Sequence, residues 1–246
     1  MLSFEQLLEG QIRRASERWQ DVLTDFMPRA EIMAQEERVR FSGVHFLIDG
    51  GYDDAERVRL FMTMQDLPIS RADMQISVVR FSGQTRFIDY SHRDCLGALM
   101  ALGFERKCIG DIVVRDGGFD VLTNSEIDDY LLAQTLSIKR VPMHAQRLAL
   151  DDWTAPVRTL KAQDIIVSQL RLDAIIAKVF NLSRARASEV IRAGLVQVDH
   201  RACERVDKIC EVGQVIACRG QGKFLIQDIE GKTKKDKIRL SIGKYC

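Results

Sequence analysis

Apolar residues near the start of the chain recur at helical spacing. Phe4, Leu7, Leu8, Ile12, Ala15, Trp19, Val22, Leu23 and Phe26 predict one or two amphipathic helices over residues 4–26. "VHFLIDGG" (44–51) predicts a buried strand and a turn. "YDDAERVRLFMT" (52–63) predicts a helix, with Asp53 and Asp54 at the start, where the helix dipole favours acids.

From about residue 74 the pattern runs strand "MQISVVRF", helix "DCLGALMALGF", strand "KCIGDIVV", strand "GFDVLT", helix "SEIDDYLLAQTL", strand "VPMHAQRL". This βαββαβ order predicts a ferredoxin-like or RRM-like sandwich. "ALDDWTAPVRTLKAQ" (149–163) breaks the periodicity at Pro156 and is expected to be a linker. No internal repeat or low-complexity tract is visible.

The last third carries the clearest pattern. In "RLDAIIAKVF" the residues Leu172, Ile175, Ile176, Val179 and Phe180 form an apolar stripe, with Arg171 and Lys178 beside it. After "NLS", Ser183 is placed to cap a second helix, and Gly194 suits the left-handed position just past its end. Ala187, Val190 and Ile191 make that helix's apolar side. Arg184, Ser188 and Arg192 fall on one polar edge, with Arg186 across the first turn. Free N–H groups, dipole and arginines then converge at one helix start, an arrangement suited to phosphate. "GLVQVDHRA" and "VGQVIACRGQGKFLIQ" alternate as short strands, with Arg201, Arg219 and Lys223 at or beside the turns.

Charge sharpens this picture. The net charge is only +1, yet residues 157–246 hold 18 Lys and Arg against 10 Asp and Glu, a net +8. The first 156 residues hold 18 against 25, a net −7. A polyanion-binding end on an acidic body is the expected organisation. The length of 246 residues suits two or three domains. The longest apolar runs are far short of the roughly 20 residues that span a bilayer, and no secretory signal is visible, so a cytoplasmic protein without membrane contact is expected. Six cysteines (95, 108, 203, 210, 218 and 246) show no C-x-x-C pair, which argues against zinc and, in the cytosol, against disulfides. Most are expected to be small buried residues. No cofactor is expected.

Two helices on a small sheet, carried by "RLDAIIAKVFNLSRARASEVIRAGLVQVDHR" and "GQVIACRGQGKF", resemble the S-four RNA-binding domain over about 171–226. The resemblance implies an RNA surface on the second helix and neighbouring loops. Its candidate residues here are Arg171, Lys178, Ser183, Arg184, Arg186, Arg192, Arg201, Arg219 and Lys223. With "GGYDDAERVRL" (50–60) and "HRDCLGALMALGFERKCIGDI" (92–112), the whole chain resembles the YlmH family of bacterial RNA-binding proteins. That implies an α+β chain: an N-terminal α/β domain (1–73), an RRM-like domain (74–148), the linker (149–163) and an S-four domain with a basic extension (164–246). It also implies a ribosome-associated factor acting on large subunits with stalled peptidyl-tRNA, in ribosome quality control and C-terminal tailing. The implied partners are large-subunit rRNA, tRNA or peptidyl-tRNA, and a tailing factor on the same subunit.

Other readings stay open: an RNA-modifying enzyme of pseudouridine-synthase type, or a protein-interaction scaffold linked to cell division. The enzyme motifs are weak. "HRD" (92–94) lacks the kinase Asn, since Leu99 stands there. "RLD" (171–173) echoes the pseudouridine-synthase aspartate, but Asp173 opens the first S-four helix, where it serves the dipole. Gly50-Gly51 and Gly117-Gly118 read as turns, and the histidines (45, 92, 144, 200) are scattered. In the third strand of the sandwich only Phe119 remains of an RRM's aromatic signature. Lys232, Lys234, Lys235, Lys237 and Arg239 lie in a polar turn before "IRLSI", which alternates like an edge strand; they are either a solvated end or an extension of the RNA surface.

Overall fold

The computed structural model describes residues 3–156, 159–233 and 236–245, apart from the side chain of Phe87. The protein is a mixed α+β chain whose sheets are antiparallel, and it divides into two compact units, Met1–Pro156 and Val157–Cys246. Lys234 and Lys235 of the basic C-terminal turn lie outside the described residues.

The first unit opens with α1 (Phe4–Arg18), started by a capping box in which Ser3 and Gln6 satisfy each other's backbone N–H. It ends at Trp19, whose backbone is left-handed (φ 54°), so the expected helical run does not reach residue 26. Instead β1 (Val22–Leu23) and β2 (Met27–Pro28) follow, then α2 (Arg29–Phe41). α2 escapes periodicity reasoning because its buried residues are only Ile32 and Val39. β3 (His45–Asp49) matches the expected strand, but it is half exposed rather than buried, since it pairs with β4 alone.

The clearest departure is β4 (Arg57–Thr63), a strand where the pattern of residues 52–63 predicts a helix. Val58, Leu60 and Met62 also fit a period of two, and pairing with β1, β2 and β3 decides between the two periods. Arg59 is 4% exposed, and its guanidinium donates to the carbonyls of Thr24, Met74 and Gln75. Asp53 and Asp54 lie in the turn before the strand and start no helix.

The central sandwich has the expected order with one strand added: β5 (Ile76–Ser82), α3 (His92–Met100), β6 (Ile109–Arg115), β7 (Gly118–Asn124), α4 (Asp128–Ala133), β8 (Leu136–Ile138) and β9 (Val141–Leu148). The helix expected over 125–136 is shorter, and its last position, Leu136, opens β8, which pairs with β9. Its strands run β6-β7-β5-β9-β8. Alternation along β5 and β7 splits the sheet's two faces. Val79, Phe81, Phe119 and Val121 pack with Cys95 and Leu99 of α3, whereas Val78 and Leu122 join Leu8, Ile32 and Leu60 of the N-terminal layer. One core therefore crosses the boundary expected at residues 73/74. Gly118 is required by close approach, because a Cβ there would lie 1.9 Å from the carbonyl oxygen of Phe81.

Much of the segment expected as a linker packs onto this sheet. Trp153 is 7% exposed and donates from Nε1 to Asp120 Oδ2 at 2.8 Å. Asp120 also receives Arg80 (Nε to Oδ1, 2.7 Å) and Arg115. Burial alone would raise the pKa of Asp120, but these bonds from Arg80, Trp153 and Arg115 outweigh it and hold the carboxyl below its ordinary range. The other end of the segment, from Leu160, is the first strand of the second unit.

That unit is a six-stranded sheet carrying two helices: β10 (Leu160–Val167), α5 (Leu172–Val179), α6 (Arg184–Arg192), β11 (Val196–Val198), β12 (Arg201–Ala202), β13 (Val215–Cys218), β14 (Gly222–Lys232) and β15 (Ile238–Tyr245). Strand order is β10-β15-β14-β13-β11-β12. β15, expected at an edge, is interior, because β10 pairs along its full length. The stripe of α5 and the Ala187, Val190 and Ile191 face of α6 meet Ile216, Phe224, Ile226, Leu240 and Ile242 in one core. Each large apolar side chain there contributes about 1.5–3 kcal/mol on burial.

Candidate nucleic-acid interface

Short helices place the candidate cations. α6 begins as its sequence predicts: the Ser183 side chain accepts from the backbone N–H of Arg186 at 3.1 Å, and Gly194 takes the left-handed backbone (φ 67°) past its end. Ser183 is thereby a cap. The start of α5 is closed differently, since the N–H groups of Leu172 and Asp173 donate to the carbonyls of Lys208 and Val206.

Asp173 is the centre of the arrangement. Its side chain is 5% exposed and accepts from Arg171 (Nε to Oδ1, 3.2 Å) and from Arg184 (2.7 Å). Burial alone would raise its pKa, but the bonds from Arg171 and Arg184 outweigh that and depress it. The same contact raises the pKa of Arg171. Asp173 therefore does more than serve a dipole: it joins the α5 and α6 starts and orients two arginines whose charge it only half cancels.

The remaining candidates are spread around the unit. Arg186 is exposed and meets Glu189 at 2.8 Å; Arg192 is exposed in the last turn of α6. Arg201 follows a tight turn at Asp199 and His200, both left-handed (φ 50° and 64°). Arg219 stands exposed in the β13–β14 turn, and the Lys223 ammonium lies 4.9 Å from the Tyr245 ring centroid. Arg171 and Arg184 are the pair of candidates that the fold brings onto a common acceptor.

Sequence reasoning missed two long-range placements. Lys244 donates to the carbonyl of Val179 at 3.2 Å, capping the α5 C-terminus from 65 residues away, with the Phe180 ring centroid 5.2 Å from its ammonium. The last residues of β14 and the first of β15 also lie beside the helix pair: Lys232, Lys237 and Arg239 line the same cleft as Lys178 and Arg184. Register is the cause, because Val167 and Ile166 of β10 pair with Ile238 and Arg239 just before the chain turns into α5. No local signal marks either contact.

The tempting motifs elsewhere have structural roles. Asp94 of "HRD" closes a capping box with Ser91, whose bonds lower its pKa. Phe119 is no exposed platform: it is buried against α3 and stacks on Phe81 at 4.9 Å. The opposite face of the sheet carries Trp153 and the N-terminal layer. Among the described residues no group of three or more His, Cys, Asp or Glu converges to hold a metal ion, and no helix is long and apolar enough to cross a membrane.

Comparison with known proteins finds two family models within the first unit and one within the second. Residues 4–67 match the family model "YlmH, N-terminal", residues 69–152 match "Putative RNA-binding domain in YlmH", and residues 170–216 match "S4 domain". The "Ribosome-associated protein quality control protein P2" of Bacillus subtilis (strain 168) is 30% identical over 240 residues, spanning 98% of this chain and 93% of the relative. A solved structure, "Cell division protein ylmH from Streptococcus pneumoniae", shares the fold over 62% of this chain and 96% of its own, with a TM-score of 0.52 at 20% identity. Three adjoining domain matches and a relative aligned almost end to end place this chain in the YlmH family.

Proposed function

We propose that this protein is a non-enzymatic, cytoplasmic RNA-binding factor that associates with the large ribosomal subunit and acts there in ribosome quality control on stalled peptidyl-tRNA. The observation that carries the reading is the joined start of α5 and α6, where Asp173 holds Arg171 and Arg184 in a unit whose charge is +8. Arginine forks fixed by a carboxylate suit phosphate, and affinity from phosphate contacts suits a partner recognised by its folded shape. The relative's name, a ribosome-associated quality control protein, supports the ribosome as the setting. rRNA and tRNA are the RNA partners in this reading, with a tailing factor as a neighbour on the same particle. Arg186, Arg192, Arg201, Arg219 and Lys223 supply peripheral phosphate contacts.

The test is sedimentation of the tagged protein through sucrose gradients at low and high salt, with peptidyl-tRNA probed in each fraction. Co-migration with large subunits at low salt and release at high salt is the expected result. Because Arg184 also holds Asp173, Arg186→Ala with Arg192→Ala is the cleaner variant. It should stay folded and lower the salt slope of binding by about 0.7–0.9 for each phosphate that is no longer neutralised. Migration at the top of the gradient under every condition would overturn the ribosomal assignment, and altered nucleotides in treated rRNA would replace it with an enzyme.

A further inference from the structure

A cleft of about 1170 Å³ opens in the C-terminal unit between the helix pair and the adjoining ends of β14 and β15. Lys178 and Arg184 stand on the helical side, Lys232, Lys237 and Arg239 on the hairpin side, and among the described residues no carboxylate lines it. The space between is mixed: Val167, Ala174, Ala177 and Leu182 supply apolar surface, and Ser168 and Asn181 supply polar groups. Three of the cations are steered by carboxylates outside the lining: Arg184 by Asp173 at 2.7 Å, Lys232 by Asp236 at 2.7 Å and Arg239 by Glu230 at 4.0 Å.

These features restrict the occupant. The volume exceeds the roughly 300–1,000 Å³ of ordinary small-molecule pockets, so a length of chain suits it better than a metabolite. Cations on both sides of a floor that mixes apolar and polar groups call for a ligand with repeated negative charge along its length and, directed inward, flat faces whose edges can hydrogen-bond. A duplex presents phosphates and sugars and keeps its bases stacked inside; a single strand can turn its bases onto the floor while its phosphates meet both walls. We propose that this cleft holds a short segment of single-stranded RNA, as a contact additional to the α6 face and continuous with it through Arg184. The inference rests on the RNA-binding reading above and specifies what one part of that surface takes. Among the described residues no aromatic side chain lines the cleft, so affinity rests on the phosphate contacts, which carry no sequence information.

The experiment measures fluorescence anisotropy of the full chain with a labelled oligo-uridine of about eight nucleotides and, separately, with a short RNA duplex. Lys237→Ala with Arg239→Ala should weaken oligo-uridine binding by about tenfold and lower its salt slope by about 0.7 for each phosphate left without its cation. Duplex binding should be unchanged. The charge-conserving pair Lys237→Arg with Arg239→Lys should restore single-strand binding, which a mere folding defect would not allow. Oligo-uridine binding equal to wild type in the alanine variant overturns the proposal. So does displacement of the RNA by oligo-glutamate of equal charge and length as readily as by unlabelled oligo-uridine, an outcome that assigns the cleft to acidic peptides. Intact duplex and ribosome binding beside either result leaves the broader RNA reading standing, whereas loss of all RNA binding by the wild-type chain overturns both.

Discussion

Arg184, the first residue of α6, donates a 2.7 Å hydrogen bond to Asp173, the second residue of α5. Asp173 is held below its ordinary pKa despite burial, so the contact ties two helices and sets the direction of a cation at the same time. Asp173→Ala removes the tie and leaves two arginines without their shared acceptor. It should cost about 1–3 kcal/mol of stability in urea unfolding of the C-terminal unit. Wild-type stability in that variant would show that the carboxylate orients the arginines without holding the helices.

Acid should act on both units through carboxylates of the same kind. Asp120 and Asp173 have folded-state pKa values depressed below their unfolded ones, so their stabilisation is present above the unfolded carboxylate range, near pH 4, and is lost as pH falls through the folded values. Asp120→Asn and Asp173→Asn should flatten the acid limb of stability against pH for the first and the second unit respectively. An unchanged acid limb in both variants would assign the loss to other groups.

Trp153 anchors the end of the first unit through Asp120, the T-shaped contact with Tyr52 (centroids 5.6 Å apart) and the Arg115 guanidinium 5.8 Å from its ring. Trp153→Ala should destabilise that unit by about 3–5 kcal/mol. Trp153→Phe keeps most of the packing and loses the hydrogen bond, at about 1–3 kcal/mol. Acrylamide quenching offers a second check, since Trp19 is 68% exposed and Trp153 only 7%; in Trp153→Phe the shielded component of fluorescence should vanish.

The β8–β9 hairpin turns on Lys139 and Arg140, both left-handed (φ 46° and 73°). That conformation costs an ordinary residue about 1–2 kcal/mol, and glycine adopts it freely. Arg140→Gly should therefore raise stability by up to about 1 kcal/mol, read as a higher melting temperature. A lower one would mean that the Arg140 side chain makes a larger contribution than its backbone strain removes.

The buried thiols should be inert. Burial pushes Cys210 up to about 12 and Cys95 to about 11, and raises Cys218 as well. The thiolate is the reactive form, so in the native protein a thiol reagent at mildly alkaline pH should leave these three unmodified and reach them only on unfolding. Peptide mapping by mass spectrometry reads the result directly.

Residues close in sequence determined much of this protein unaided. The α6 helix could be placed to the residue because its start and stop are local chemistry: a serine that bonds three residues on and a glycine that takes the left-handed turn. Most of the central order was legible too, since periods of two and 3.6 alternate from Ile76 to Ala133; β8 was not, because three residues are too short a run to show a period and only pairing with β9 makes them a strand. Tertiary structure decided the rest. β4 satisfies either period over a short run and becomes a strand because β1, β2 and β3 offer it hydrogen bonds. Trp153 sits in a proline-broken stretch and is ordered by a carboxylate 33 residues away. The cleft was split in the sequence between a helix pair and a lysine-rich end. Pairing of β10 with β15 sets the start of β15 beside α5, and strand register couples residues at separations that no local pattern records.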